Sequence, residues 1–251
     1  MNEKAMLVIV PTYNEAQSAP RLIASVLELL PAIHILIVDD GSPDGTADIC
    51  QSIADGDSLG RVHIMRRKGK RGFSSAYIAG FKWGIAQEYK ALIQMDADGS
   101  HRPIDLVSMI TNFEKDAAID CVVGSRWTEG GSVVNWPKHR EILSRTANTY
   151  AKLMLGLKVN DMTAGFRVYR RSLLAKIDFA TVVSEGYCFQ IEMTRKVVGL
   201  NAKIKEVPIT FVEREFGVSK MSGNIVIEAM SRVTAWGLQR ALKIGGRNNA
   251  R

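Results

Sequence analysis

Cysteine is scarce in this 251-residue chain. There are three, Cys50, Cys121 and Cys188. An odd number at wide spacing gives neither a disulfide framework nor a zinc-binding pattern. All three are expected to be reduced and buried, as in an intracellular protein. Long apolar runs are missing too: no stretch of about 18 apolar residues occurs, so no transmembrane helix is expected. The N-terminus leads straight into a short strand-like run, and no signal peptide is expected. The sequence contains no Gly-x4-Gly-Lys-Ser/Thr, which excludes a phosphate-binding P-loop. Its four histidines, His34, His63, His101 and His139, are scattered without metal-ligand spacing, and only His101, beside an aspartate pair, invites attention. There is no internal repeat, low-complexity segment or clear linker.

What is present is an ordinary globular composition with a basic balance. Apolar residues make up 46% of the chain, enough for a real core. The net charge of +7 suits anionic partners such as nucleic acid, acidic membrane or phosphorylated substrates. The basic run at residues 66–71 is the obvious nucleic-acid candidate, yet it holds no aromatic residue on which a base could stack. That argues against a nucleic-acid-binding module.

Strand and helix patterns alternate through the first 125 residues. Short apolar runs at 7–10, 33–38, 62–65, 92–95 and 120–124 read as strands. Helical patterns run between them, to about residue 30, over 45–54, over 73–87 and from Pro103, a first-turn proline. This alternation predicts an α/β fold: a mostly parallel sheet with helices on both faces. The second half is less regular. It reads as a helix near 139–155, a polar segment at 160–170, a helix near 187–199, strands near 203–212, a basic loop at 214–220 and a last helix over about 223–243. On a helical wheel, Ile225, Val226, Ile227, Ala229, Met230, Val233, Trp236, Leu238 and Ala241 form an apolar arc, into which Arg240 intrudes. Such a helix either packs on its own domain or lies in a membrane interface. The tail at 245–251 is expected to be disordered.

In open α/β sheets ligands bind beyond the carboxyl ends of the strands, and the polar motifs fall there. Asn14 and Glu15 follow the first strand, Asp39 and Asp40 the second, Asp96 and Asp98 the fourth. Two carboxylates one residue apart repel unless a cation sits with them. Hard oxygen ligands of this kind suit Mg²⁺ or Mn²⁺ shared with a diphosphate. Asp-Gly-Ser after Asp39 is also ordinary turn chemistry.

Seven motifs in order carry a resemblance. They are Pro11-Thr12-Tyr13-Asn14-Glu15; Val38-Asp39-Asp40-Gly41-Ser42; Met95-Asp96-Ala97-Asp98; Gly124-Ser125-Arg126; Asp161 through Arg167; Gly186-Tyr187-Cys188-Phe189-Gln190 with Glu192; and the stretch from Glu213 to Lys220. Together they resemble family 2 glycosyltransferases of GT-A fold, and within them the dolichyl- or polyprenyl-phosphate mannose synthases. The resemblance implies an inverting transfer of mannose from GDP-mannose to a membrane polyprenyl or dolichyl phosphate. It implies residues 1–223 as the catalytic domain and 224–251 as a C-terminal amphipathic helix and tail. Pro11, Tyr13, Glu15, Asp39 and Asp40 would hold the nucleoside, and Asp96 and Asp98 would bring the metal to the diphosphate. Ser100 stands where some relatives carry a glutamine ligand, so its hydroxyl or a water would substitute. Arg126 and Arg140 would face donor or acceptor phosphates, the planar guanidinium being suited to two phosphate oxygens. Arg214 and Lys220 would bracket a closing acceptor loop with Gly217 and Gly223 as hinges. Asp161 and Arg167 would form an internal ion pair, and Gln190 and Glu192 would contact sugar or order a loop. The basic run would attract the nucleotide, and also the membrane. The protein would work peripherally on the cytoplasmic face of a membrane, with a membrane-spanning protein as a further candidate partner. Transfer of another sugar, such as glucose from UDP-glucose, and a non-catalytic nucleotide-binding scaffold are the competing readings.

Overall fold

The computed structural model describes residues 6–69, 72–213 and 223–248, the last segment with side chains for residues 228–242. The expected alternation is there. Strand β1 (Leu7–Thr12) is followed by α1 (Ser18–Leu29), β2 (His34–Asp39), α2 (Thr46–Gly56), β3 (Val62–Arg66), α3 (Phe73–Ala86), β4 (Ala91–Gln94), α4 (Pro103–Lys115) and β5 (Cys121–Ser125). Then come β6 (Ser132–Val134), α5 (Lys138–Leu155), β7 (Arg167–Arg170), α6 (Arg171–Leu174), a 3₁₀ turn at Phe179–Thr181, α7 (Gly186–Gly199), β8 (Ile204–Pro208), β9 (Thr210–Val212) and α8 (Gly223–Asn248).

Seven strands form one sheet in the order β3-β2-β1-β4-β7-β5-β8, and β6 pairs with β9 in a small second one. All main-sheet pairings are parallel except those of β7, which runs antiparallel to both β4 and β5. The chain leaves β1 toward β2 on one side and meets β4 on the other, so the order reverses at β1. The crevice there is where ligands settle in such sheets.

Alternation along each strand feeds two cores. Val8, Val10, Ile35, Ile37 and Ile93 point to one face, under α1, α2 and α4. Leu7, Ile9, Leu36, Val38 and Leu92 point to the other, under α3 and α7. Both faces being covered explains why the strands read as nearly unbroken apolar runs. All three cysteines are buried and free.

β7 lies where the sequence reads as a polar segment. Its Arg167 is almost fully buried and fully engaged: Nε donates to Ala164 O at 2.8 Å, Nη2 to Met162 O at 2.9 Å and Nη1 to Thr194 Oγ1 at 2.9 Å. The expected Asp161–Arg167 ion pair is therefore corrected. Arg167 is held by carbonyl and hydroxyl oxygens and braces the turn before its own strand.

Helix α8 packs on α5 and α7. Val233 and Gly237 are buried there, and a Cβ on Gly237 would stand 2.7 Å from Met154 Cε. Arg240 has a physical reason for its place on the apolar arc. Its guanidinium lies over Gly156, the left-handed cap of α5, where the carbonyl end of the helix dipole favours a cation. Met230, Leu238 and Leu242 remain exposed. The helix continues to Asn248, so the expected disordered tail is corrected for residues 245–248. Among the described residues no helix is long and apolar enough to cross a membrane.

Candidate active site

The loops after β1, β2 and β4 meet at the rim of the sheet. Asn14 turns the first one back in a left-handed conformation, φ 61°. Its N–H then donates to Ser42 Oγ at 3.0 Å, and the Glu15 N–H to Thr46 Oγ1 at 2.9 Å, tying this loop to the next. The Asp39 carboxylate accepts four hydrogen bonds. Oδ1 takes the N–H of Gly41 and of Ser42, at 3.0 and 2.9 Å; Oδ2 takes the hydroxyls of Thr12 and Ser42, at 2.9 and 2.5 Å. Asp39 thus staples the loop from inside. Asp40 forms an ion pair with Arg67 at 2.8 Å. Gly41 is at φ +73°, and a Cβ there would stand 3.2 Å from the Gly69 nitrogen, so the two loops pack backbone to backbone.

Asp96 and Asp98 line a cleft of roughly 190 Å³ beyond β4. Tyr77, buried on α3, donates its hydroxyl to Asp96 Oδ1 at 2.8 Å. Burial and the Asp96 charge push that phenol well above its usual pKa, so it stays a donor. Asp98 Oδ1 accepts the N–H of Ser100 at 3.1 Å and its hydroxyl at 2.6 Å. Ser100 therefore orients Asp98. The Asp96 N–H donates to His101 Nδ1 at 3.0 Å, which fixes the tautomer with the proton on Nε2. Burial lowers the His101 pKa against the opposing pull of Asp96 and Asp98, and the ring, stacked on Phe166, is neutral.

The donor set fits a hard divalent cation. Two carboxylates, held by a phenol and a serine, face a cleft. Among the described residues no third His, Cys, Asp or Glu completes a cage around them. Mg²⁺ and Mn²⁺ suit such sites, since phosphate oxygens and waters fill the remaining positions.

The segments after β5 bring two arginines to the same cleft. Arg126, expected to reach phosphate, is 4% exposed and clamped by Asp161: Nε to Oδ2 at 2.8 Å, Nη2 to Oδ1 at 2.7 Å. Its guanidinium carbon also lies 5.3 to 5.5 Å from the ring centres of Trp127, Trp136 and Phe211. Burial alone would lower its pKa, and the Asp161 charge and hydrogen bonds outweigh that, so the pKa is raised. Arg126 lines the cleft with its Nε and Nη2 held by Asp161 and Nη2 also by Thr163. Arg140 pairs with Glu213 and stacks 4.1 Å from the Trp136 ring centre.

The cleft gathers Pro11, Glu15, Asp96, Asp98, Ser100, Arg126 and Arg140, while Tyr13, Asp39 and Asp40 are not on its lining. Arg214, Gly217 and Lys220 lie outside the described residues, as do Lys70 and Arg71 of the basic run. Two further arginines of that run are spent on ion pairs, Arg66 with Asp48 and Arg67 with Asp40. The structure separates Gln190 from Glu192. Glu192 accepts the N–H groups of Val183 and Ser184 at 3.2 and 3.0 Å and orders that loop. Gln190 is 2% exposed, lines the cleft, and neither of its amide atoms has a hydrogen-bond partner among the described residues. A Cβ on Gly165 would stand 3.5 Å from its Nε2 and 3.7 Å from Asp96 Oδ2, so the missing side chain leaves a notch between them.

Tyr77, Trp127, Trp136 and Phe211 escape a reading of the sequence. One signal was available: of four tryptophans in the chain, Trp127 directly follows Arg126.

Known proteins agree with this architecture. At 49% identity over 236 residues, the chain is similar to polyprenol monophosphomannose synthase of Mycolicibacterium smegmatis, covering 94% of this chain and 88% of the relative. It is 47% identical over 233 residues to undecaprenyl-phosphate mannosyltransferase of Micrococcus luteus, covering 93% and 94%. Among solved structures it resembles glucosyl-3-phosphoglycerate synthase of Mycobacterium tuberculosis, crystallised with Mn²⁺, UDP-glucose and phosphoglyceric acid. That likeness has TM-score 0.65 and 19% identity, over 94% of this chain and 79% of that one. Mannosyl-3-phosphoglycerate synthase of Rubrobacter xylanophilus matches with TM-score 0.61 and 20% identity, over 97% and 75%. These two likenesses show the fold alone. The family model for glycosyl transferase family 2 matches residues 7–178, and with that match and the two near-half-identical relatives the chain belongs to this family.

Proposed function

We propose that this protein transfers mannose from GDP-mannose to the phosphate of a membrane polyprenol, inverting the anomeric carbon, with a divalent cation at Asp96 and Asp98. The observation that carries the proposal is one cleft lined by both Asp96 and Asp98 and by Arg126 and Arg140. Two relatives about half identical to this chain, named for mannose transfer to polyprenol phosphates, support the lipid phosphate as acceptor.

A bound Mg²⁺ or Mn²⁺ would supply Lewis-acid stabilisation of the departing diphosphate. The chain's own residues do the rest. Tyr77 and Ser100 hold the two carboxylates in position. The loops stapled by Asp39 and joined by the Asp40–Arg67 pair frame the nucleoside, with Pro11, Tyr13 and Glu15 beside it. Gln190 offers one donor and one acceptor to neighbouring hydroxyls of the transferred sugar. Arg140 faces the phosphates, Arg126 holds the wall on which the acceptor rests, and Arg214 and Lys220 grip the acceptor phosphate. That phosphate is ionised at neutral pH, so no general base is needed, and catalysis rests on positioning and charge. Work at the cytoplasmic face of a membrane, as a peripheral protein, fits the exposure of Ile142 and Leu153 on α5 and of Leu238 and Leu242 on α8.

The test is transfer of radiolabelled mannose into solvent-extractable lipid, with wild type and Asp98→Ala. The variant is expected to lose at least about 10²-fold in rate, the scale of removing one group that stabilises developing charge. An undiminished rate would sink the role given to the metal. A thermal-shift series of GDP against UDP, each with Mn²⁺, checks the donor base.

A further inference from the structure

A second cavity opens beside the cleft. It lies among α5, α7 and α8, holds about 200 Å³, and is walled by Leu143, Ala147, Tyr150, Ile191, Ala229 and Val233. It is not a separate chamber. Arg126, Trp136, Arg140, Thr163 and Tyr187 line both spaces, so apolar cavity and polar cleft meet at the two arginines. Its outer lip carries Leu143 and Met230, side chains that are 41% and 47% exposed although they line a cavity. At the junction the Arg140 Nε is buried and has no hydrogen-bond partner among the described residues. An occupant matched to this shape has an anionic head at Arg140 and a hydrocarbon body that runs away from it between the helices.

We infer that this cavity holds the first isoprenoid units of the lipid-phosphate acceptor, so that α8 forms one wall of the acceptor site. The inference rests on the reading of the acceptor as a polyprenyl phosphate. It adds where the hydrocarbon goes and which residues measure it. A free phosphate would use only the head end, and a fatty alcohol only the body. An amphiphile with both gains from each, because apolar burial and the arginine contact act on one molecule.

The experiment is calorimetric titration of the full chain with farnesyl phosphate, and in parallel with methyl phosphate and farnesol. Wild type is expected to bind farnesyl phosphate more tightly than either. Ala147→Trp, from α5, and Ala229→Trp, from α8, fill the cavity from opposite walls. Each is expected to weaken farnesyl phosphate at least about tenfold, as excluding roughly two methylene groups would. GDP affinity and thermal unfolding, followed in the same samples, show that each variant is folded. Unchanged farnesyl phosphate affinity in either folded variant overturns the inference, as does a wild type that binds methyl phosphate equally well. The titration involves no sugar transfer. A wild type that moves no mannose into lipid would defeat the proposed reaction, whereas equal affinities would defeat the cavity assignment alone.

Discussion

The two walls of the cleft are built from opposite materials. On the wall formed after β4, hydroxyls and a backbone amide hold the carboxylates in place, Tyr77 on Asp96 and Ser100 on Asp98, and behind it Thr12 and Ser42 hold Asp39 in the same way. On the wall formed after β5, carboxylates and indole rings hold the arginines: Asp161 on Arg126, Glu213 on Arg140, and Trp136 against both. Neutral donors orient a carboxylate and leave its charge for a cation. A carboxylate partner instead cancels much of an arginine's charge and fixes its plane. The first wall is suited to recruiting charge and the second to keeping its shape.

The contrast is sharpest at Asp161. Asp161→Ala strands a buried guanidinium, and the expected loss of stability is about 3–5 kcal/mol in urea unfolding. Adding Arg126→Met should restore most of it, since an apolar replacement of a buried pair is often neutral. If the single variant unfolds at the wild-type midpoint, the second wall is not built on that pair. A smaller effect is expected at Gln190, between the walls. Gln190→Leu should slow mannose transfer by roughly 10 to 10² fold, the cost of one or two lost hydrogen bonds, with GDP affinity unchanged. An equal loss of GDP affinity would move Gln190 from the sugar to the nucleotide. On the first wall, Tyr77→Phe should raise the Mn²⁺ concentration needed for half activity by about tenfold, the low end for a residue orienting a metal ligand, with little change in unfolding. The weakest effect lies away from both walls. His34, His63 and Tyr89 form a hydrogen-bonded triangle of 2.9 to 3.2 Å, and burial lowers both imidazole pKa values, with Asp57 opposing and Arg61 reinforcing at His34. The unfolded chain then takes up protons near its ordinary value of about 6.5 before the folded one does. Stability should be level above that pH and fall below it, and His63→Gln should flatten the fall. A variant with the wild-type pH profile would remove the triangle from the account.

The first wall was legible because its chemistry is local. Asp96 and Asp98 follow the four-residue strand β4, and Asp39 ends the six-residue β2, so the end of an apolar run marks these carboxylates. The second wall is assembled from distant positions. Arg126 meets Asp161 35 residues on, and Arg140 meets Glu213 73 residues on, so no spacing in the sequence reveals either pair. Asp161 and Arg167 bracket one motif, which suggests a pair between them; instead carbonyl oxygens and the Thr194 hydroxyl hold Arg167. β7 was missed because Arg167 and Arg170 frame only two apolar-facing residues, Val168 and Tyr169, too few to show a period. Helix α8 was recognised, and of its expected apolar arc Val233 is buried, Met230 and Leu238 are exposed, and the side chains of Ile225, Val226 and Ile227 lie outside those described. Which part of the arc meets α5 was not legible, since that depends on the close approach allowed by Gly237.

The reversed direction of β7 also bears on how the chain is made. The partner of β4 on one side, β1, precedes it in the chain, but its partner on the other side is residues 167–170. During synthesis that hydrogen-bonding edge stays open while more than seventy further residues are added. Unpaired edges invite association between nascent chains, and a strand only four residues long offers little for a neighbour to grasp.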